Sequence, residues 1–339
     1  MVFLLFKIGL YDTICGKSNL ILELQGGNPV KYSFVIPCYN SSHSIGHVVK
    51  EIQDKMLDMD ESDYEIILVN DHSKDNTKDV IFELADQPNI RAITLAKNSG
   101  QDNACLCGYR ASAGDYVISL DDDGQNPANE VDRLINKLHE GYDVVIAHYP
   151  NKHHESWRNV GSRINDLMER EMLGKPKELY IGSYFIAKRF IIDQIIAYPN
   201  PYPYIRGLLL SATDNIANVD VNHRDREYGK SQYTLKKLLG LWLNGFTSFS
   251  VKPLRVSTFI GGIIAVLGFI MTIYAVIHKL LHPEISAGWA SLMAVMTLIG
   301  GMILLMLGLI GEYVGRIYIS LNHTPQYVIQ EKKNFPDNQ

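Results

Sequence analysis

Asp115-Tyr116-Val117-Ile118-Ser119-Leu120-Asp121-Asp122-Asp123-Gly124-Gln125-Asn126-Pro127 runs from an apolar segment straight into three acids. The aromatic and β-branched run before Asp121 reads as a buried strand. Three adjacent carboxylates at its end repel one another, and each raises its neighbours' pKa unless a cation is present. Mg²⁺ or Mn²⁺ resolves that conflict, because both take hard oxygen ligands and bridge diphosphate oxygens. On an extended chain alternate residues share a side, so Asp121 and Asp123 face together while Asp122 faces away. Gln125 can add a neutral oxygen. A solvated acidic turn is the plainer alternative for the triplet taken alone.

Outward from this stretch, strand and helix signals alternate. Strands are predicted over Tyr32–Pro37, Tyr64–Val69, Ile90–Leu95, Asp115–Leu120 and Tyr142–Ala147. Helices are predicted over His43–Met56 (with Ser42 or Ser44 as N-cap), Asp75–Ala85, Gln101–Ala113 and Asn129–His139. This rhythm predicts an α/β domain with a Rossmann-like, mostly parallel sheet and helices on both faces. Ligands in such sheets bind beyond the carboxyl ends of the strands. Asn40, Asp71, Asn98 and the three acids each follow a strand. After Pro150 the rhythm weakens. A helix over Ser156–Leu173 puts Arg158, Ser162 and Asn165 on one face by offsets of four and three. A last strand falls at Ile216–His223. The chain has no GxxxxGK[ST], which excludes a P-loop, and no GxGxxG after the first strand, which argues against a dinucleotide oxidoreductase.

The chain has 339 residues, 46% of them hydrophobic and 20% charged, with a formal net charge of −5. The acidic balance argues against a nucleic-acid-coating protein. Its mean hydropathy of −0.04 hides an uneven distribution. Val256–Ile277 and Ile285–Gly311 carry no charge. At about 22 and 27 residues, each is long enough to cross a bilayer. The short link His278–Glu284 makes them a hairpin, with Lys279 snorkelling at its tip. Lys252 and Arg255 precede the hairpin, and Arg316, Lys332 and Lys333 follow it. The positive-inside rule then predicts a multi-pass cell-membrane protein with its large domain in the cytoplasm. Gln232–Asn244 mixes Lys236 and Lys237 with leucines and Trp242, and reads as an interfacial amphipathic helix. The expected divisions are an extension over 1–31, the α/β domain over 32–230, a juxtamembrane segment over 231–255, two spans over 256–312 and a cytoplasmic tail over 313–339. In the extension, Met1–Leu10 is apolar except for Lys7, and a signal peptide is the weaker reading. After Gln330 the polar tail is expected to fray. Cys15, Cys38, Cys105 and Cys107 are expected to be reduced in a cytoplasmic body. Cys105 and Cys107 read as small apolar helix residues, not as a metal site.

Three ordered motifs carry a resemblance: Val35-Ile-Pro-Cys-Tyr-Asn40, Val69-Asn-Asp-His-Ser-Lys-Asp-Asn-Thr77 and Asp121–Pro127. They resemble family-2 glycosyltransferases of the GT-A fold, and Asn98-Ser-Gly-Gln101 also matches. Arg226-Glu-Tyr-Gly-Lys-Ser-Gln-Tyr233 and Gly311-Glu-Tyr-Val-Gly-Arg-Ile-Tyr318 narrow this to polyprenyl-phosphate glycosyltransferases. Bacterial undecaprenyl-phosphate sugar transferases are the nearer likeness, and dolichol-phosphate mannose synthase the more distant. The resemblance implies that Pro37, Tyr39, Asn40, Asp71, Asn98, Gly100, Gln101 and Asp122 bind a nucleotide sugar, with UDP as the carrier. It implies Asp121, Asp123 and Gln125 as metal ligands, and Arg158, Ser162, Asn165, Arg226 and Ser231 as the grip on a lipid phosphate. Asp123, Arg158 and Arg226 are the implied catalytic set. Arginine suits that task because its planar fork pairs bidentately with phosphate oxygens. The implied partners are the membrane, a polyprenyl phosphate and further copies of the chain, since related enzymes form tetramers. Glucose, N-acetylglucosamine, galactose and a modified aminoarabinose all fit as the sugar.

The chain departs from the family at three places. Ser41 stands where many relatives carry an acid, Gly124 where a larger apolar residue is common, and Ser183 where some place an aspartate proposed as catalytic base. No carboxylate base is therefore assigned. Two other readings compete. A processive polysaccharide synthase usually carries QxxRW and more spans, and Trp157-Arg158 has the reverse order. A non-catalytic membrane scaffold draws support from Ser41 and Ser183 alone.

Overall fold

The computed structural model describes residues 30–150, 170, 174–222, 252–281, 288–322 and 325–335. Their strands are β1 (Tyr32–Cys38), β2 (Tyr64–Asn70), β3 (Ile90–Leu95), β4 (Tyr116–Ser119), β5 (Val144–His148), β6 (Phe185–Lys188), β7 (Ile216–Asp220) and β8 (Ile329–Lys333). Helices α1 (Ile45–Asp58), α2 (Thr77–Leu84), α3 (Gln101–Ala111), α4 (Val131–His139), α5 (Arg189–Ile196) and α6 (Ile205–Ala212) connect them. Two long helices follow, α7 (Lys252–Leu281) and α8 (Trp289–Leu321).

One eight-stranded sheet holds these strands, in the order β7-β5-β6-β4-β1-β2-β3-β8. β1 is central and wholly buried, pairing in parallel with β2 and β4. A strand buried on both faces must be apolar on both, which explains the unbroken Phe34-Val-Ile-Pro run. Its side chains alternate between two cores. Phe34 and Ile36 pack with Ile66, Leu68 and Ile118 under α1, α2 and α4. Val35 packs with Ile67, Val69 and Val117 under α3, α5 and α6. Cys105 and Cys107 are buried in that second core. Gly108 lets α3 lie close on β1, since a Cβ there would fall 2.3 Å from Val35 Cγ1.

Two expectations are corrected. The sheet is mixed, with four parallel and three antiparallel pairings, where a Rossmann-like sheet was expected. β6 inserts antiparallel between β4 and β5, and β8 lies antiparallel to β3. The tail expected to fray after Gln330 begins inside that eighth strand, which runs to Lys333. Its polar sequence, Ile329-Gln-Glu-Lys-Lys333, hid it, but an edge strand needs only one neighbour and charge on its free side blocks further pairing. Side chains fix it: Lys333 Nζ donates to Phe82 O at 2.7 Å and pairs with Asp86 at 2.6 Å, and Lys78 pairs with Glu331 at 2.6 Å. Asn334, with φ +61°, donates from Nδ2 to the carbonyls of Gln87 and Ile90.

Among the described residues, one helix is long and apolar enough to cross a membrane, through Leu298–Ile319 of α8. The apolar stretch in α7 is shorter, Gly261–Ile270. Both helices turn large apolar side chains outward, Phe269 and Leu304 among them. The helices expected over Ser156–Leu173 and Gln232–Asn244 lie outside the described residues, apart from helical Arg170.

Candidate active site

The carboxyl ends of β1, β2, β3 and β4 meet at one edge of the sheet, and the polar loops converge there. Asp71 follows β2, and its backbone N–H donates to Cys38 O at 2.9 Å. Its carboxylate accepts the N–H groups of Ser99 at 2.6 Å and Gly100 at 2.9 Å. Gly100 sits at φ +91°, a conformation that costs glycine little. Asn98 Nδ2 donates to Asp71 O at 3.2 Å. Burial raises the Asp71 pKa, and the two amides oppose that shift. The loop after β3 is thus fastened to the end of β2.

After β1, Tyr39 N–H donates to Asp122 Oδ2 at 2.9 Å, while Pro37 stays inside the strand opposite Val69. Asn40, at φ +54°, uses both backbone and side chain to hold the neighbouring loop. Its N–H donates to Ser73 Oγ at 3.0 Å, and its Oδ1 accepts Lys74 N–H at 2.8 Å. Ser41 is buried; its N–H donates to Thr77 Oγ1 at 2.9 Å, and its carbonyl accepts Ile45 N–H at the start of α1. At this position the chain needs a helix entry, which serine provides without a charge.

The acid loop is a turn at Asp122 and Asp123, not extended chain, and its carboxylates take different partners. Asp122 turns towards Tyr39, and burial pushes its carboxyl up to about 6. Asp121 accepts Gln101 Nε2 on Oδ1 at 2.7 Å and Ser183 Oγ on Oδ2 at 2.5 Å. Burial raises its pKa, the Ser183 bond opposes that rise, and the charge of Asp123 adds to it. Gly124, at φ +74°, turns the chain so that Gln125 N–H donates to Asp123 Oδ1 at 3.1 Å. Among the described residues no three carboxylate, imidazole or thiolate groups cluster as a ready cation cage. Asp121 and Asp123, close enough for the charge of one to raise the pKa of the other, offer hard oxygens of the kind Mg²⁺ or Mn²⁺ takes.

Comparison with known proteins decides the family. The model of glycosyl transferase family 2 matches residues 33–196. The GtrB C-terminal hairpin model matches residues 252–317. The undecaprenyl-phosphate 4-deoxy-4-formamido-L-arabinose transferase of Serratia proteamaculans (strain 568) is 33% identical over 305 residues, covering 89% of this chain and 93% of that protein. The same-named transferase of Proteus mirabilis (strain HI4320) is also 33% identical over 305 residues, with the same coverage. The chain belongs to the family-2 polyprenyl-phosphate sugar transferases. Among solved structures, the UDP complex of Mycobacterium tuberculosis glucosyl-3-phosphoglycerate synthase aligns at 18% identity with a TM-score of 0.47, over 62% of this chain and 75% of that one.

In this glycosyltransferase the edge thus assembles Pro37, Tyr39, Asn40, Asp71, Asn98, Gly100, Gln101, Asp121, Asp122, Asp123 and Gln125. Arg158, Ser162, Asn165, Arg226 and Ser231 lie outside the described residues. Other residues at the edge carried no motif. Tyr149 follows β5 and donates its hydroxyl to Asn126 Oδ1 at 2.8 Å, and its ring meets Tyr180 edge-on at 6.4 Å. Burial, reinforced by Asp121 and Asp123, pushes the Tyr149 phenol up. Its signal in the sequence is its place just after a strand, which it shares with the motif residues.

Asp102, in the first turn of α3, accepts the Ile205 N–H at the start of α6. Burial pushes its carboxyl up to about 6 from 3.8, opposed by Arg206. A carboxyl raised by folding holds its proton longer in the native state than in the unfolded one. Its contribution to stability is therefore greatest below about pH 4 and declines as pH rises through about 6. Asp102→Asn removes that slope. The stability of the variant relative to the parent will rise by about 2 kcal/mol between about pH 4 and about pH 7, as read by denaturant melts at both.

Proposed function

We propose that this glycosyltransferase moves a sugar from a UDP-linked donor to undecaprenyl phosphate at the cytoplasmic face of the cell membrane. The observation that carries this is the path of the chain after α8. The apolar helix ends at Leu321, and by Val328 the backbone carbonyl accepts Ala96 N–H at 2.8 Å. Ala96 begins the loop that reaches Asn98, Gly100 and Gln101. β8 then pairs from Ile329 opposite Leu95, the last residue of β3. A helix suited to lipid therefore ends a few residues from the sheet edge that carries the donor loops. On this reading α7 is a second span, both outer ends of the hairpin lie on the cytoplasmic side, and copies assemble as a tetramer through the membrane helices.

In this reading Pro37, Tyr39 and Asp71 cradle the nucleotide, with Asn40, Asn98, Gly100, Gln101 and Asp122 shaping the pocket. Asp121, Asp123 and Gln125 would hold Mg²⁺ or Mn²⁺, which when bound offsets charge on the departing diphosphate. Arg158, Ser162, Asn165, Arg226 and Ser231 grip the lipid phosphate. A phosphate monoester has its second pKa near about 6, so at neutral pH the acceptor is already an oxyanion and needs orientation more than a base. Its oxygen forms the new bond to the anomeric carbon as the carbon–oxygen bond to the nucleoside diphosphate breaks. The electron pair leaves with the diphosphate, and in-line attack inverts the anomeric centre. Ser183, in the place where some relatives have an acid, agrees with a reaction that needs none.

The test uses purified full-length protein, undecaprenyl phosphate, Mn²⁺ and a panel of nucleotide sugars. A UDP-linked formamido-arabinose heads the panel because the relatives at 33% identity carry that name. An organic-extractable lipid-phosphate sugar is expected by mass spectrometry. No such product from any donor overturns the proposal. A polymer would point to a processive synthase, and nucleotide binding without turnover to a scaffold.

A further inference from the structure

We infer that Gln101 and Ser183 are a pair of positioning residues that fix the Asp121 carboxylate in the orientation its cation-holding role requires. The inference rests on the metal reading of Asp121, Asp123 and Gln125 given above. Its basis is the occupation of both carboxylate oxygens by neutral donors from different elements. Gln101 Nε2 donates to Oδ1 at 2.7 Å, and Ser183 Oγ donates to Oδ2 at 2.5 Å. Two donors, one on each oxygen, remove the rotation about the Cβ–Cγ bond that a lone carboxylate retains. Each oxygen keeps a second lone pair, so the clamp leaves ligand capacity in place.

The two donors are themselves anchored. Gln101 opens α3 directly after Gly100, whose N–H is held by Asp71. Asn103 Nδ2, further along the same turn, donates to Ser99 O at 2.8 Å. A continuous path therefore runs from the carboxylate at the end of β2, through the loop 98–100, to the carboxylate at the end of β4. Ser183 comes from the other side, two residues before β6, which pairs with β4 through Ser119↔Phe185. The antiparallel insertion of β6 beside β4 brings the hydroxyl to the acid loop. Ser183 thus does something an aspartate at the same position could not. An ionised acid there would repel Asp121, whereas a hydroxyl donates to it.

Partners of a metal-holding carboxylate typically change metal affinity about 10–100-fold when removed. The experiment is a Mn²⁺ titration followed by electron paramagnetic resonance, on the full chain in detergent with UDP present. Ser183→Ala is expected to weaken Mn²⁺ binding about 10-fold or more, and Gln101→Ala by a similar factor. Ser183→Thr keeps the hydroxyl and is expected to bind Mn²⁺ within about 3-fold of the parent, a rescue that a packing role would not produce. Unchanged Mn²⁺ affinity in either alanine variant overturns the positioning role of that residue and leaves the metal reading standing. Failure of the parent itself to bind Mn²⁺ overturns both.

Discussion

Asp123→Ala lowers formation of the lipid-linked sugar by about 10³-fold or more, with the fold intact. Asp123 is half-buried in a turn, and its Oδ1 accepts the amide of Gln125. Its removal costs little packing, so the melting temperature should stay within a few degrees of the parent. The loss falls on the reaction because the leaving diphosphate develops charge that the acid loop and its cation are placed to offset. Asp122→Asn is the informative contrast. Asp122 accepts Tyr39 N–H at 2.9 Å, a bond that an isosteric amide can still accept, so the variant should retain far more activity. The measurement is label in the organic phase over time for both variants. Turnover by Asp123→Ala at the rate of the parent would sink its assignment.

Truncation after Thr324 is the second large effect. It removes β8 and its partners: the bond from Ala96 N–H to Val328 O, the Lys333–Asp86 pair, the bonds of Asn334, and Gln326 Nε2 on the carbonyls of Tyr198 and Asn200. β3 becomes an open edge, and the part of the second core that Tyr327 and Phe335 cover meets water. A loss of about 4 kcal/mol would lower the melting temperature of a domain this size by roughly 10 °C. Donor binding should fall in parallel, because the loop 96–100 starts at the bond that is lost. A truncated chain that melts and binds UDP like the parent would show that the strand is dispensable.

The strands β1 to β4 were legible because each is buried on both faces and must be apolar almost throughout. Helices α1, α2 and α4 were legible from their periodicity, whereas α3 is buried continuously over Asn103–Tyr109 and carries no such stripe. Within the site, the acid loop announced itself because three carboxylates at a strand end need a physical reason. β8 was not legible, since a one-sided, solvent-facing strand has no apolar signature. β6 was missed altogether: at four residues, Phe185–Lys188, it is too short to show a pattern, and a strand sequence does not record which neighbour it will pair with. The roles of Gln101 and Ser183 were hidden for the same reason. A glutamine opening a helix and a serine before a strand are ordinary residues until the sheet order sets them on either side of Asp121.

Asp121–Gln125, the apolar stretches near the C-terminus and the ordered motifs already say that this chain joins a nucleotide-sugar chemistry to a lipid environment. Those features are local, written in charge and hydropathy along the backbone. What holds Asp121 still, and how the end of α8 returns to the donor edge, depend on contacts between residues distant in sequence, such as Asp121 with Ser183 and Ala96 with Val328. Such contacts exist only after the strands choose their neighbours, and that choice is made by packing the two cores on either side of β1.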